Sequence, residues 1–364
     1  MKISFFTSWD TKCGIADYSC YFKNALEKQG LTINIVPVSE NSKTFDFIKL
    51  GKLMNTANIA HIQHEYSFFG KNNFLWAINF YFFLTQIKIP KVLTLHEIML
   101  PARGKPFFRL RRYIIYLAHR VIFSKIDVII VHLNSHREDL LSMGVSTEKL
   151  VVMPLPVPEF RPLLLNTEEC KSLLGVTGKR VLTIFGFVVK KKGYELVLPA
   201  IKELRNCILC IAGGPPLKDA GNYLQELKME IIKLNIKDKV KILGFLPEYE
   251  VNKIMCATDI ILAPFLQASG SASLSTAIAY HKPIIASNIR ALRELSDMGL
   301  AMEMFDSGNS DDLKEKIVYL TNNPERMDQL AEMTKQYAEK YSYTNAAGNM
   351  YKIYQSLSAS SRKS

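Results

Sequence analysis

Short apolar runs rich in Ile, Val and Phe alternate along the chain with longer stretches of helical period, the pattern of parallel sheets covered by helices. In the first half the runs predict strands near Ile3 to Thr7, Thr32 to Val36, Ile59 to Ile62, Val92 to Leu95, Val128 to His132 and Val151 to Met153. Pro154, Pro156, Pro158 and Pro162 then cluster, and their missing N–H groups and fixed φ interrupt regular structure. Beyond them the alternation restarts, with strands near Val181 to Phe185, Ile208 to Ala212, Val240 to Leu243, Ile260 to Ala263 and Ile284 to Ala286. From about Asp311 the chain turns helical and polar, and Asn345 to Tyr354 carries a last amphipathic segment.

The expected fold class is therefore α/β, with two Rossmann-like, doubly wound domains facing a central cleft. The boundaries read as 1–158 for the first domain, 159–178 for a linker region, 179–340 for the second domain, and 341–364 for a terminal helix packing back on the first domain and ending in a frayed tail. Ligand chemistry belongs at the carboxyl ends of the strands.

Composition narrows the partners. The chain has 364 residues, 48% hydrophobic and 22% charged, so a disordered chain is excluded. Its net charge of +12 favours anions: phosphate-bearing substrates, acidic lipid or nucleic acid. No helix-turn-helix, zinc-finger or stacking-platform motif is present, which sets nucleic acid aside. Six thinly spread cysteines fit a reducing cytoplasm, and the start of the chain reads as a strand, not as a signal peptide. Phe74 to Leu84 is apolar but falls short of the roughly 20 residues of a membrane span, and reads as a buried helix. Phe107 to Arg120, basic and aromatic, reads as an amphipathic helix for an anionic membrane surface or as an ordinary helix with a basic face.

Three loops carry candidate chemistry. Cys13-Gly14-Ile15-Ala16-Asp17-Tyr18 follows the first strand, where Gly14 allows a tight turn into a helix N-terminus. Phe185-Gly186-Phe187-Val188-Val189-Lys190-Lys191-Lys192-Gly193 pairs a strand end with lysines suited to a diphosphate. Ala268-Ser269-Gly270-Ser271-Ala272-Ser273-Leu274 opens another helix with small residues, leaving hydroxyls and N–H groups for phosphate oxygens. His96, with Glu97 at a strand's carboxyl end, is the candidate catalytic side chain. His61-Ile62-Gln63-His64-Glu65 has the wrong order for the H-E-x-x-H zinc site, and Cys207 and Cys210 lie in an apolar strand as core thiols; no metal site is expected.

Cys13-Gly14-Ile15-Ala16, Thr94-Leu95-His96-Glu97, Met153-Pro154, Phe185-Gly186-Phe187 with Lys192-Gly193, Ala212-Gly213-Gly214, Leu243-Gly244-Phe245-Leu246 and Lys282-Pro283-Ile284-Ile285-Ala286-Ser287 occur in one order along nearly the whole chain. In that order they resemble the retaining, nucleotide-sugar-dependent glycosyltransferases of the GT-B fold, the large family-four, or group 1, class. The resemblance implies an acceptor domain followed by a nucleotide-sugar domain, with no cofactor beyond the nucleotide diphosphate sugar as co-substrate and no divalent metal. It implies catalytic roles for His96 at the transferring sugar and Lys192 at the diphosphate. Donor binding would involve Gly14, Gly186, Lys191, Gly213, Gly244, Leu246, Ser269, Gly270, Ser271 and Leu274. Asp17, Tyr18, His64 and Glu65 would face the acceptor.

The implied function is transfer of a hexose to a glycan or lipid-linked acceptor, in cell-surface polysaccharide or lipopolysaccharide synthesis, by a cytoplasmic protein or one peripheral on the inner face of the cytoplasmic membrane. Two departures stand against it. Phe187 occupies the place of an Arg found in many relatives, and Ala268 and Thr276 occupy those of a glutamate pair. A non-catalytic GT-B protein binding a sugar nucleotide or glycan, and a nucleotide-sugar epimerase, are the alternatives.

Overall fold

In a computed structural model the chain is described at all residues except 12, 40–41, 71–74, 99–115, 161–164, 217–221, 269 and 361–364. It divides into two compact units, one of residues 1–156 with 341–364 and one of residues 157–340.

The first unit is built on a six-stranded parallel sheet. Its strands are β1 (Lys2–Thr7), β2 (Thr32–Pro37), β3 (Ile59–His64), β4 (Lys91–Leu95), β5 (Val128–Val131) and β6 (Leu150–Val152), in the order β2-β1-β3-β4-β5-β6. Successive side chains on a strand point to opposite faces, so each strand feeds two cores. On β1, Phe5 packs with Phe22 and Tyr354 on one face, and Phe6 packs with Phe69 and Phe83 on the other. Helix Gly14–Lys28 begins at Cys13, whose Sγ accepts from the Ala16 N–H at 3.4 Å. The terminal helix Tyr343–Ser360 packs against Gly14–Lys28 inside this unit, burying Tyr343, Ala347, Met350 and Tyr354.

Helix Leu75–Gln86 is apolar on every side, and the sequence predicts it as buried. The structure corrects that expectation. Trp76, Phe80, Phe83 and Leu84 enter the core, while Leu75, Ile78, Tyr81 and Phe82 face solvent. The basic aromatic segment lies outside the described residues up to 115; residues 116–120 are helical.

The second unit carries β7 (Arg180–Phe185), β8 (Cys207–Ala212), β9 (Val240–Gly244), β10 (Ile260–Ala263), β11 (Ile284–Ser287) and β12 (Glu303–Phe305), all parallel, in the order β12-β11-β10-β7-β8-β9. This is the doubly wound order in which connections reverse direction between the first and fourth strands, here β7 and β10, and open a crevice at their carboxyl ends. The three-residue edge strand β12 is absent from the strands predicted by sequence. Residues 159–178 fall inside this unit: helix Thr167–Leu173 forms there, and its Lys171 pairs with Asp259 at 3.0 Å. Cys207 and Cys210 are buried free thiols on opposite faces of β8.

Candidate functional site

The loops after β7 and β10 meet at the reversal point of the second sheet. After β7, a single 3-10 turn, Lys190–Lys192, ends at Gly193, whose φ of 65° is left-handed. A Cβ on Gly193 would lie 2.1 Å from the Pro264 carbonyl oxygen, so glycine is required for the two loops to touch. The Lys191 carbonyl accepts from the Leu266 and Gln267 N–H groups at 2.9 and 3.2 Å, closing that contact, while the Lys191 side chain is exposed.

The Lys192 ammonium points inward. It donates to the Ser273 hydroxyl at 2.6 Å and to the Phe185 carbonyl at 3.3 Å, and lies 5.4 Å from the centre of the Phe265 ring. No carboxylate is among its described partners. Burial, reinforced by the neighbouring Lys191, lowers its pKa to about 7. Ser273 in turn lies 3.1 Å from the Ser271 hydroxyl, which accepts from the Leu274 N–H.

Gly186, at φ 108°, forms the floor: a Cβ there would meet Ser273 at 2.4 Å and the Lys192 ammonium at 2.5 Å. Gly213 leans on Gly186 so closely that a Cβ would fall 1.9 Å from its carbonyl oxygen. Gly213 also forms a bridge to Gly244 at the end of β9. The structure thus brings Gly186, Lys192, Gly213, Gly244 and Ser271 into one connected group, with Lys191 holding the loop through its carbonyl.

Other donor expectations fare differently. The Leu274 side chain is buried and its amide is taken by Ser271. Gly270 has a φ of 131° just before that cap, and Leu246 is half-buried beyond Gly244. Ser269 lies outside the described residues. Phe187 packs edge-on against Phe245 with ring centres 5.7 Å apart, and the Thr276 hydroxyl folds back on the Ala272 carbonyl at 3.0 Å.

In the first unit, His96 follows β4 directly. Its Nε2 lies 2.8 Å from Gln63 Oε1 and its Nδ1 3.3 Å from His132 Nε2, while His132 Nδ1 lies 2.9 Å from the Met153 carbonyl. Burial, with His132 and other histidines nearby, holds the His96 pKa well below its usual value; burial also lowers His132 to about 4. Tyr18, buried at the start of helix Gly14–Lys28, sets its ring edge-on to His96 at 4.9 Å. Asp17, one position earlier, is exposed, and its carboxyl pKa is raised by partial desolvation. Gly14 begins the same helix.

The acceptor expectation for His64 is overturned. It occupies the opposite face of β3 from Gln63, fully buried and ringed by Tyr66, Phe69, Trp76 and Phe80, and neither ring nitrogen has a hydrogen-bond partner among the described residues. Glu65 is spent locally as well, capping helix Tyr66–Phe69 through the Ser67 N–H at 3.0 Å. Sequence reasoning missed Gln63, His132 and Ser273. Strand alternation could have found Gln63, since it shares a face with His61 and not with His64. No cluster of three or more His, Cys, Asp or Glu side chains suited to a metal occurs among the described residues.

Residues 166–340 match the family model described as glycosyl transferases group 1. An uncharacterized glycosyltransferase of Methanocaldococcus jannaschii is 27% identical over 173 residues, which is 48% of this chain and 47% of that protein. D-inositol 3-phosphate glycosyltransferase of Corynebacterium urealyticum is 24% identical over 254 residues, 66% of this chain and 59% of that one. The chain spans about half the length of the curated relatives it matches. Among solved structures, Anabaena HepE in complex with UDP-glucose superposes with a TM-score of 0.76 at 16% identity, over 98% of this chain and all of that one. The stretch 166–340, nearly the whole second unit, belongs to the glycosyl transferases group 1 family, and the chain has the two-domain α/β architecture of GT-B glycosyltransferases.

Proposed function

We propose that the chain is a nucleotide-sugar glycosyltransferase that moves a hexose from a nucleotide diphosphate sugar to a glycan or lipid-linked acceptor, with retention at the anomeric carbon. The observation that carries the reading is Lys192: a half-buried lysine at the reversal point of a doubly wound sheet, its ammonium set against a hydroxyl and a carbonyl, with no carboxylate among its described partners. A diphosphate supplies the missing negative charge, and the ammonium stabilises the charge that develops on it as it leaves. Metal-independent turnover follows if this cation serves alone. The sugar would then be attacked on the face the diphosphate leaves, a route that asks the protein for positioning and electrostatics and for no carboxylate nucleophile. His96 and Tyr18 would border the sugar and acceptor. The similarity to HepE, crystallised with UDP-glucose, supports this donor class. A role in surface-polysaccharide or lipopolysaccharide assembly rests on the family resemblance alone.

A thermal-shift screen against UDP, GDP, ADP, CMP, dTDP and their common sugars in EDTA tests the reading, because a ligand that binds only the native state raises its melting temperature. A shift with one diphosphate that disappears in Lys192→Ala supports the donor site and names the base. No shift with any nucleotide sinks it.

A second reading, a non-catalytic protein that binds the nucleotide sugar, is favoured by Phe187 and Thr276, whose side chains are engaged with Phe245 and Ala272 and offer neither cation nor carboxylate. Binding without turnover across acceptors would select it; conversion of the donor with no acceptor present would select an epimerase.

Attachment to an anionic membrane surface is proposed from the exposed Leu75, Ile78 and Phe82, with Lys125 over the Tyr81 ring at 5.0 Å. No described helix is long and apolar enough to cross a membrane. Sedimentation with vesicles of neutral or acidic lipid decides, and indifference to lipid charge ends the idea.

A further inference from the structure

A chain of side-chain contacts runs across one face of the first sheet. The Tyr354 hydroxyl meets His61 Nδ1 at 2.5 Å, and His61 Nε2 meets Gln63 Nε2 at 3.1 Å and the Thr94 hydroxyl at 2.8 Å. Gln63 Oε1 meets His96 Nε2, His96 Nδ1 meets His132 Nε2, and His132 Nδ1 meets the Met153 carbonyl. His61 and Gln63 are fully buried, as is Tyr354, and His132 nearly so.

The chain's end fixes its direction. A carbonyl only accepts, so His132 Nδ1 carries a proton and donates to Met153. A neutral His132 then accepts at Nε2, which requires His96 to donate from Nδ1 and leaves His96 Nε2 as an acceptor. Gln63 satisfies that acceptor by presenting its NH2 to His96 and its oxygen to His61, a half-turn about its last side-chain bond that exchanges the two ends in place. His61 Nε2–H then donates to the Gln63 oxygen, and His61 Nδ1 accepts from Tyr354. In the opposite sense, with the Gln63 oxygen at His96, the His96–His132 pair must hold a third ring proton as a partly buried imidazolium with no carboxylate among its described partners, which is costly. The lowered pKa of both rings reflects that cost.

We propose that Gln63 and His132 are positioning residues that hold the His96 ring in its Nδ1–H tautomer, so that it enters sugar binding as an oriented ring with both nitrogens committed and takes no part in proton transfer. The statement about sugar binding rests on the reading of His96 under Proposed function. The tautomer itself does not.

The test is a long-range 1H–15N correlation spectrum of the full chain labelled at histidine, with the His96 signals assigned by their loss in His96→Gln. The expected pattern is that of a neutral Nδ1–H ring, unchanged between pH 6 and 8. In Gln63→Glu the carboxylate beside Nε2 draws a proton onto that nitrogen, giving an Nε2–H or imidazolium signal, and in His132→Leu the loss of the acceptor mixes the tautomers. His132→Asn, whose oxygen accepts from Nδ1–H, keeps the original pattern and controls for misfolding. An Nε2–H ring in the unaltered protein, titration within that pH range, or an unshifted pattern in Gln63→Glu overturns the proposal.

Calorimetry with UDP-glucose separates it from the functional reading. Affinity is expected to fall on the order of tenfold in Gln63→Leu, about the net worth of one hydrogen bond. Unchanged affinity alongside the expected spectra supports the positioning role and overturns only the placement of His96 at the sugar.

Discussion

Lys192 and Ser273 meet at 2.6 Å although they lie 81 residues apart, joining the loop after β7 to the loop after β10 through a cation with no acidic partner among its described contacts. Hydrogen bonds to a charged group are worth about 1.5–3 kcal/mol, so Lys192→Ala is expected to weaken diphosphate binding roughly ten- to hundredfold and Ser273→Ala by less. Calorimetry on the two variants checks the ranking.

The same lysine sets a pH dependence. With a free-state pKa of about 7, its ammonium loses its proton as pH rises above 7, whereas a bound diphosphate favours the charged form and raises the pKa. Binding then takes up a proton, and the Kd is expected to rise about tenfold per pH unit above 7. Lys192→Ala should flatten the profile; a slope that survives would assign the proton elsewhere.

Gly213→Ala places a methyl 1.9 Å from the Gly186 carbonyl and forces the floor of the site to move. Gly175→Ala, also at positive φ but with open space around its Cβ, supplies a comparison. Both carry a backbone cost on the order of 1 kcal/mol or more, but only Gly213→Ala should abolish the nucleotide-induced rise in melting temperature.

Asp259 ties the core of the second unit together. Its carboxylate takes the buried Lys171 ammonium at 3.0 Å and the Val181 N–H at 2.7 Å. Removing it leaves the buried Lys171 ammonium with the exposed Glu168 carboxylate at 3.3 Å and strips the Val181 N–H of its acceptor, so Asp259→Ala should cost about 1–3 kcal/mol in urea unfolding. Exposed pairs such as Lys233 with Glu230 should cost under about 1 kcal/mol.

Acid should unfold the first unit early. Burial lowers His61 and His64 to about 3 and His132 to about 4, so the folded state keeps them neutral while the unfolded chain protonates near its ordinary value of about 6.5. Their contribution is complete above that value and is lost as pH falls towards 3. His64→Phe, which matches its aromatic surroundings and removes one such group, should make melting less steeply dependent on pH between 6 and 4.

The strands that sequence reading located are those whose apolar runs are four or more residues long or sit between clear turns. The edge strand Glu303–Phe305 escaped because three residues carry too little periodicity. At the candidate site, the lysine turn and the glycines were legible from residue type and order. Ser273 was not, because it acts through an ammonium that folding brings from another loop. His64 enters the expected acceptor set through the family resemblance, yet the alternation of β3 turns His64 into an aromatic core and Gln63 towards His96. The pairing of Gln63 with Thr94 across β3 and β4 then sets Gln63 on the face that His96 joins.

The first unit is written in two separated pieces, with residues 157–340 inserted between them. A ribosome therefore releases every strand of the first sheet long before it releases the helix that covers one face of that sheet, and the continuous second unit is complete before its elder neighbour. During that interval Phe5, Phe22 and His61 have no Tyr354 to shelter them. Nascent chains halted near residue 340 should expose a sticky apolar face that chaperones recognise, and release of the last turns of helix should end that recognition.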